Sequence, residues 1–187
     1  MLGKELIFQK AIFKWFGIKF HYTRLDGTDS GEVNQFVIDR GDSVAMLLHE
    51  VEKDEVILVE QLRIATAESG NGWLLELPAG RVDPGEEPTQ TALREAREET
   101  GAEPREIRLI SSFFLSPGGS SERLHLFYCP FHNGIEIQSI AGLKEENEDI
   151  SVQRYPLKEA LEMIETGKIA DAKTIIGLLW LNQDVKS

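Results

Sequence analysis

Residues 79–102 read AGRVDPGEEPTQTALREAREETGA, and they crowd Glu95, Glu98 and Glu99 into one short piece of an otherwise ordinary helix. Pro88 stands near its start and Gly101 just past its end, while Ala92, Leu93 and Ala96 supply an apolar face; the segment from Pro88 to Thr100 is therefore expected to be helical. Residues three and four apart on a helix are neighbours, so Glu95 lies beside both Glu98 and Glu99. Each such like-charge pair weakens an exposed helix by a few tenths of a kcal/mol. Two readings offset that cost. One is a solvated acidic face with Arg94 and Arg97 interleaved. The other is a set of carboxylates that meets cations: the preceding loop LPAGRVDPGEE (residues 77–87) brings backbone carbonyls to the helix entry, and hard oxygen donors from a loop and one helical face are what Mg²⁺ or Mn²⁺ requires.

Outward from this helix the pattern is mostly β. AIFKWFGIKFHYTRL (residues 11–25) and VNQFVIDR (33–40) alternate apolar and polar positions around the turn signal DGTDSG, which predicts a hairpin or meander over residues 1–40. SVAMLLHEV (43–51), EVILVEQLR (55–63) and GWLLELPAG (72–80) read as core strands, and IRLISSFFLS (107–116), LHLFYCPF (124–131) and DISVQRYPL (149–157) as later ones. KEALEMIETG (158–167) and DAKTIIGLLWLNQ (171–183) read as two closing helices, with Trp180 packing into the core. This order predicts an α+β fold.

Composition excludes several classes. A chain of 187 residues with 41% hydrophobic content suits one globular core, without repeats or low-complexity tracts. The formal charge of -12 argues against nucleic acid or an anionic membrane surface as partner. No apolar run has the length of a membrane span, and the first 16 residues lack the features of a secretory signal. A single cysteine, Cys129, fits a reducing, cytoplasmic compartment and reads as a buried hydrophobe. His21, His49, His125 and His132 show no paired metal spacing.

Gly80, five residues, Glu86, seven residues, then Arg94, Glu95, Ala96, one residue, Glu98, Glu99, one residue, Gly101 and Ala102: this series resembles the full signature of the Nudix hydrolases. The resemblance implies a mixed β-sheet sandwiched between helices, with residues 1–40 as an N-terminal antiparallel β meander and residues 41–187 as the catalytic domain. It also implies metal-dependent cleavage of a nucleoside diphosphate joined to a further group. By the same carry-over Glu95 and Glu99 are the principal ligands of two or more Mg²⁺ or Mn²⁺ ions, completed by the Ala79 carbonyl and Glu98. Arg94 orients carboxylates, Glu86 belongs to the structural part of the signature, and Gly80 and Gly101 let the backbone turn tightly.

Flanking motifs resemble the ADP-ribose pyrophosphatase branch of that family. SPGGSSER (residues 116–123) places Pro117 sixteen residues after Gly101, and GLKEENEDI (142–150) followed by GKIADAKTIIGLLWL (167–181) is similar to that branch's C-terminal half. Alone, the first is a tight turn and the second a solvated acidic loop. The resemblance implies Glu146 as general base, with Glu98 a further catalytic carboxylate, and Glu148 as a metal-associated one. It implies Arg40, Arg63, Ser116 and Glu122 as substrate contacts. Gln35 stands where the branch carries an arginine against the nucleotide, which predicts looser base discrimination. Trp15, with Phe16 and Phe20, either packs, against its own sheet or a second subunit, or stacks on the base. The expected activity is hydrolysis of ADP-ribose to AMP and ribose 5-phosphate by a homodimer joined through its N-terminal strands. The alternatives are a broader nucleoside diphosphate sugar hydrolase preferring GDP-mannose and, with the signature acids intact, a less favoured silent ligand sensor or a plain Ca²⁺-binding module.

Overall fold

The alternation of the first 40 residues becomes a three-stranded antiparallel sheet in order β1-β2-β3, formed by β1 (Gly3–Lys10), β2 (Phe13–Phe20) and β3 (Val33–Asp39). The computed structural model describes residues 1–132, 134–142 and 149–184. It divides into two compact units, one of residues 1–42 with 113–124, the other of residues 43–112 with 125–187. In the first unit a bulge between Leu6 and Phe8 interrupts the β1–β2 register, and the DGTDSG turn closes on a Thr23–Asp29 bridge. The turn in SPGGSSER is sewn onto β3: Ile38 N–H donates to Gly119 O at 2.8 Å, Ser121 N–H to Ile38 O at 3.0 Å, and the Gln35 side-chain amide to Gly118 O at 3.1 Å. Leu6, Ile7, Phe8, Trp15 and Phe36 remain exposed on this sheet.

The second unit is built on an eight-stranded sheet. Its path runs β10 (Ile140–Ala141), β11 (Ile150–Pro156), β5 (Glu55–Leu62), β4 (Ser43–Glu50), β9 (Arg123–Phe131), β8 (Arg108–Phe114), with β6 (Trp73–Glu76) paired to β5 and β7 (Ala79–Arg81) paired to β4. Every residue of β4 is buried, as a strand with both faces covered demands. On one face Val44, Met46, Leu48, Ile57, Val59, Ile150 and Val152 meet Ala92 and Ala96 of helix α1 (Pro88–Thr100). On the other, helix α3 (Ala172–Asp184) comes close enough that a Cβ on Gly177 would stand 3.0 Å from Leu77 Cδ1, and helix α2 (Leu157–Glu165) packs on β5 and β11. The result is the α+β sandwich. Among the described residues, no helix is long and apolar enough to cross a membrane.

Two local expectations are corrected. GWLLELPAG is two strands rather than one: Pro78, which has no N–H to give, breaks the ladder, and its carbonyl accepts Met46 N–H at 2.9 Å as the chain passes from β5 to β4. Leu93 is exposed, and the buried stripe of α1 is Thr91, Ala92, Ala96, Glu99 and Thr100. Residues 92, 96, 99 and 100 follow the i, i+4, i+7, i+8 spacing, and Leu93 is turned about 100° from Ala92. Trp180 is half-buried, its ring 5.3 Å from that of Tyr128.

Candidate active site

Local chemistry sets α1 where it is. Glu87 caps it in a reciprocal box with Gln90, Pro88 enters the first turn, and Gly101 closes the end in the left-handed region at φ 74°. A side chain at Gly101 would be strained there and would also press on Gln138 Cγ at 2.8 Å.

The acidic face is organised around one guanidinium. Arg94 Nη1 stands 2.8 Å from Glu95 Oε1 and 2.8 Å from Glu98 Oε2, while its Nη2 and Nε reach the Glu86 carboxylate at 3.3 and 3.4 Å. Thr91 Oγ1–H donates to the same Glu86 carboxylate at 2.9 Å. Burial works to lower the Arg94 pKa, yet hydrogen bonding to Glu86, the charge of Glu95 and hydrogen bonding to Glu98 and Glu95 hold it above the ordinary arginine value. In turn the hydrogen bonds from Arg94, then Thr91, hold Glu86 below the usual carboxylate range. Glu99 is only 3% exposed, and its Oε2 accepts the Ala79 N–H at 2.8 Å. Glu95 lies directly over Gly80: a Cβ there would fall 1.9 Å from Glu95 Cδ and 2.0 Å from Oε1. The glycine is required for space.

These residues suit a hard divalent cation in their chemistry. Carboxylates from one helical face meet a strand whose glycine leaves room for them, and oxygen donors are what Mg²⁺ and Mn²⁺ select. Among the described residues no group of three or more His, Cys, Asp or Glu is arranged to hold a metal ion. Glu95 and Glu98 are drawn to Arg94, and Glu99 to the Ala79 amide. Glu146 and Glu148 lie outside the described residues.

Arg63 belongs to the same unit as α1. Its N–H donates to Gly72 O at 2.7 Å as it opens the 3-10 turn Ile64–Thr66, and its Nε–H donates to Glu76 Oε1 at 2.6 Å. Glu76 also pairs with Lys173 at the start of α3. Sequence reasoning missed both partners. A lone Glu inside the apolar run WLLELP and a lone Lys opening an apolar helix were the available signals.

The other substrate-contact candidates fall in the N-terminal unit. Arg40 Nε is buried, 3.8 Å from Glu122 Oε2, and lacks a hydrogen-bond partner among the described residues. Ser116 O accepts Gly119 N–H at 3.2 Å and Ser120 N–H at 2.9 Å, closing the turn beside which Gln35 is tied. Trp15 pairs with Phe8 and Ile38 across the sheet and stays exposed.

The histidines are each engaged locally. His49 contacts Tyr128 Oη at 2.9 Å and Asp54 Oδ1 at 3.1 Å, while His21, His125 and His132 contact Asp29, Ser112 and Glu52. Burial pushes the Cys129 thiol up to about 12, which keeps it from acting as a nucleophile.

The NUDIX domain family profile matches residues 39–176. An ADP-ribose pyrophosphatase of Haemophilus influenzae is 38% identical over 185 residues, covering 97% of this chain and 84% of that protein. A GDP-mannose pyrophosphatase of Escherichia coli O1:K1 is 37% identical over 182 residues, covering 96% of this chain and 93% of its own length. A solved crystal structure of an ADP compounds hydrolase superposes with a TM-score of 0.75 at 19% identity, covering 99% of this chain and 92% of the other. At that identity the likeness speaks for the fold.

Proposed function

This chain belongs to the Nudix family, and from that membership we propose that it is a pyrophosphohydrolase of nucleoside diphosphate sugars, adding one water to ADP-ribose to give AMP and ribose 5-phosphate. The observation that carries the reading is the acidic face of α1, with Glu95 seated over Gly80 and Glu99 fixed to the Ala79 amide. Glu95, Glu99, Glu98, the Ala79 carbonyl and Glu148 would hold two or more Mg²⁺ or Mn²⁺ ions, whose chemistry is to screen the phosphate charge and acidify the attacking water. Glu146 takes the proton from that water. Its separation from the signature helix suits the task, because a carboxylate committed to cations is a weak base. Arg94 keeps Glu86, Glu95 and Glu98 in register. Arg63 holds the diphosphate or the adjacent sugar, and Arg40, Ser116, Glu122 and Gln35 contact the remainder of the substrate.

A second substrate, GDP-mannose, has one residue in its favour. Gln35 occupies a position where an arginine would grip the nucleotide with fixed charge, and one of its two amide N–H groups is already given to Gly118 O. What remains is one neutral donor and one neutral acceptor, without the fixed charge and planar fork of an arginine, and such a group discriminates bases weakly. The exposed apolar residues of β1–β3, Trp15 included, pack against a second copy of the chain or, for Trp15, against the base; the enzyme is a homodimer of the cytoplasm. The deciding experiment incubates the full chain and Mg²⁺ with ADP-ribose, GDP-mannose, NADH, diadenosine polyphosphates and free nucleoside triphosphates, and separates the products by chromatography. Release of nucleoside monophosphate from the two diphosphate sugars supports the reading. Turnover confined to triphosphates, or none at all, overturns it.

A further inference from the structure

Glu76 is almost completely buried and grips two cations at once. Its Oε1 accepts the Arg63 Nε–H at 2.6 Å, and its Oε2 accepts from the Lys173 ammonium. Lys173, 7% exposed, also stands 3.0 Å from Asp171 Oδ2. That oxygen accepts Thr174 N–H at 3.0 Å and Thr174 Oγ1–H at 2.6 Å, so Asp171 caps the first turn of α3. The Thr174 hydroxyl in turn accepts Leu77 N–H at 2.8 Å, tying the end of β6 to the same turn. A chain of alternating charge thus runs from the helix terminus to Arg63.

Burying a lysine is costly unless it is paired and hydrogen-bonded, and nothing on the acidic face of α1 uses this one. Its effect falls on Arg63. A carboxylate facing a lone arginine tends to close both oxygens onto the guanidinium as a two-pronged fork. Here Lys173 occupies Oε2, so Arg63 is held through Nε. Among the described residues no side-chain hydrogen bond engages its η-nitrogens, and the side chain is 40% exposed. Fixing Nε orients the whole planar group and leaves the η N–H groups to bind two oxygens of one anion.

We propose that Lys173 is a positioning residue for substrate binding: by taking one oxygen of Glu76 it sets the plane of Arg63 toward the diphosphate. This rests on the substrate role given to Arg63 above. Steady-state kinetics of the full chain with ADP-ribose and Mg²⁺ tests it. Lys173→Met raises KM by about tenfold with kcat within about threefold, as expected for lost binding common to ground and transition states. The near-isosteric Glu76→Gln moves KM the same way, which keeps the test open if Lys173→Met fails to fold, and Lys173→Arg recovers part of the loss. In an Arg63→Ala background, Lys173→Met changes KM no further. Leu178→Val, which loosens α3 in the core, lowers the melting temperature and leaves KM alone. An unchanged KM in Lys173→Met and Glu76→Gln, with Arg63→Ala raising it, overturns the positioning role. An equal rise from Lys173→Met with and without Arg63 also overturns it and makes the lysine a direct contact. An unchanged KM in Arg63→Ala removes the premise itself.

Discussion

Gly80→Ala puts the placement of Glu95 to a direct test. The backbone at Gly80 lies outside the left-handed region, so an alanine there meets no torsional penalty; it meets Glu95. The added Cβ would fall 1.9 Å from Glu95 Cδ, 2.0 Å from Oε1 and 2.4 Å from Cγ, where ordinary contact begins at 3.4 Å. The carboxyl group must therefore retreat by about 1.5 Å, which also breaks its 2.8 Å contact with Arg94 Nη1. A misplacement of about 1 Å in a reacting constellation costs on the order of 10²-fold in rate, or about 2.7 kcal/mol of transition-state stabilisation. Stability should suffer less, because the clash is with a side chain that can swing outward; a loss of about 1 kcal/mol, at the low end of overpacking, is expected. Gly85→Ala is the converse control. It has open space around it but sits at φ 87°, so it should cost about 1 kcal/mol in stability and little activity. The assay is kcat/KM for ADP-ribose at saturating Mg²⁺, with thermal melts of each variant. A Gly80→Ala enzyme within about threefold of the parent would refute the argument that Glu95 works from its seat over this glycine.

Glu95→Gln and Glu99→Gln should each remove nearly all activity while leaving the fold, and Mg²⁺ with a substrate analogue should raise their melting temperatures less than that of the parent. Glu146→Gln should lower kcat by roughly 10²- to 10⁴-fold with metal affinity little changed, whereas Glu148→Gln should recover rate at high Mg²⁺; metal titrations of both variants separate the roles. GDP-mannose should be hydrolysed within about a hundredfold of ADP-ribose in kcat/KM, and Gln35→Arg should widen the preference for ADP-ribose; strict specificity in the parent, or no change on substitution, ends that idea. Glu86 is held low by Arg94 and Thr91 in the folded chain, so its contribution is present above the pKa of the unfolded state and is lost as pH falls through the folded value. Glu86→Gln should therefore be less stable than the parent near pH 7, and the stability difference should shrink as pH falls through the lowered folded-state pKa of Glu86.

What the sequence made legible was local. The boundaries of α1 were legible from Pro88 and Gly101, each within a turn of where it acts, and the acids of its face follow from helical spacing alone; the Glu87–Gln90 capping box was seen only in the structure. Leu93 went wrong because three apolar residues fit more than one face, and only the packing of Ala92 and Ala96 under β4 decides which is inside. The split of β6 from β7 was hidden because Pro78 is also tolerated at a strand end. Contacts that join distant segments left at most a lone polar residue, with nothing to name its partner. Gln35 meets Gly118 across 83 positions, and Glu76 meets Lys173 across 97; only the fold brings these partners together.

The crowding of glutamates on α1 is tolerable because each acid is partnered, and the partners differ in kind. Glu99 is buried and bound to a backbone amide, a contact that cannot leave without moving β7. Glu95 and Glu98 are part-exposed and share one arginine nitrogen, and ion pairs of that kind are individually weak. Exchanging their partner for a divalent cation would cost the fold little, since Arg94 keeps Glu86 through two other nitrogens and Glu86 keeps Thr91. The division assigns Glu99 as the fixed carboxylate and Glu95 and Glu98 as the adjustable ones. It also explains why an arginine serves where a lysine would not: only a planar fork can hand one nitrogen to the adjustable pair and hold the third acid with the rest.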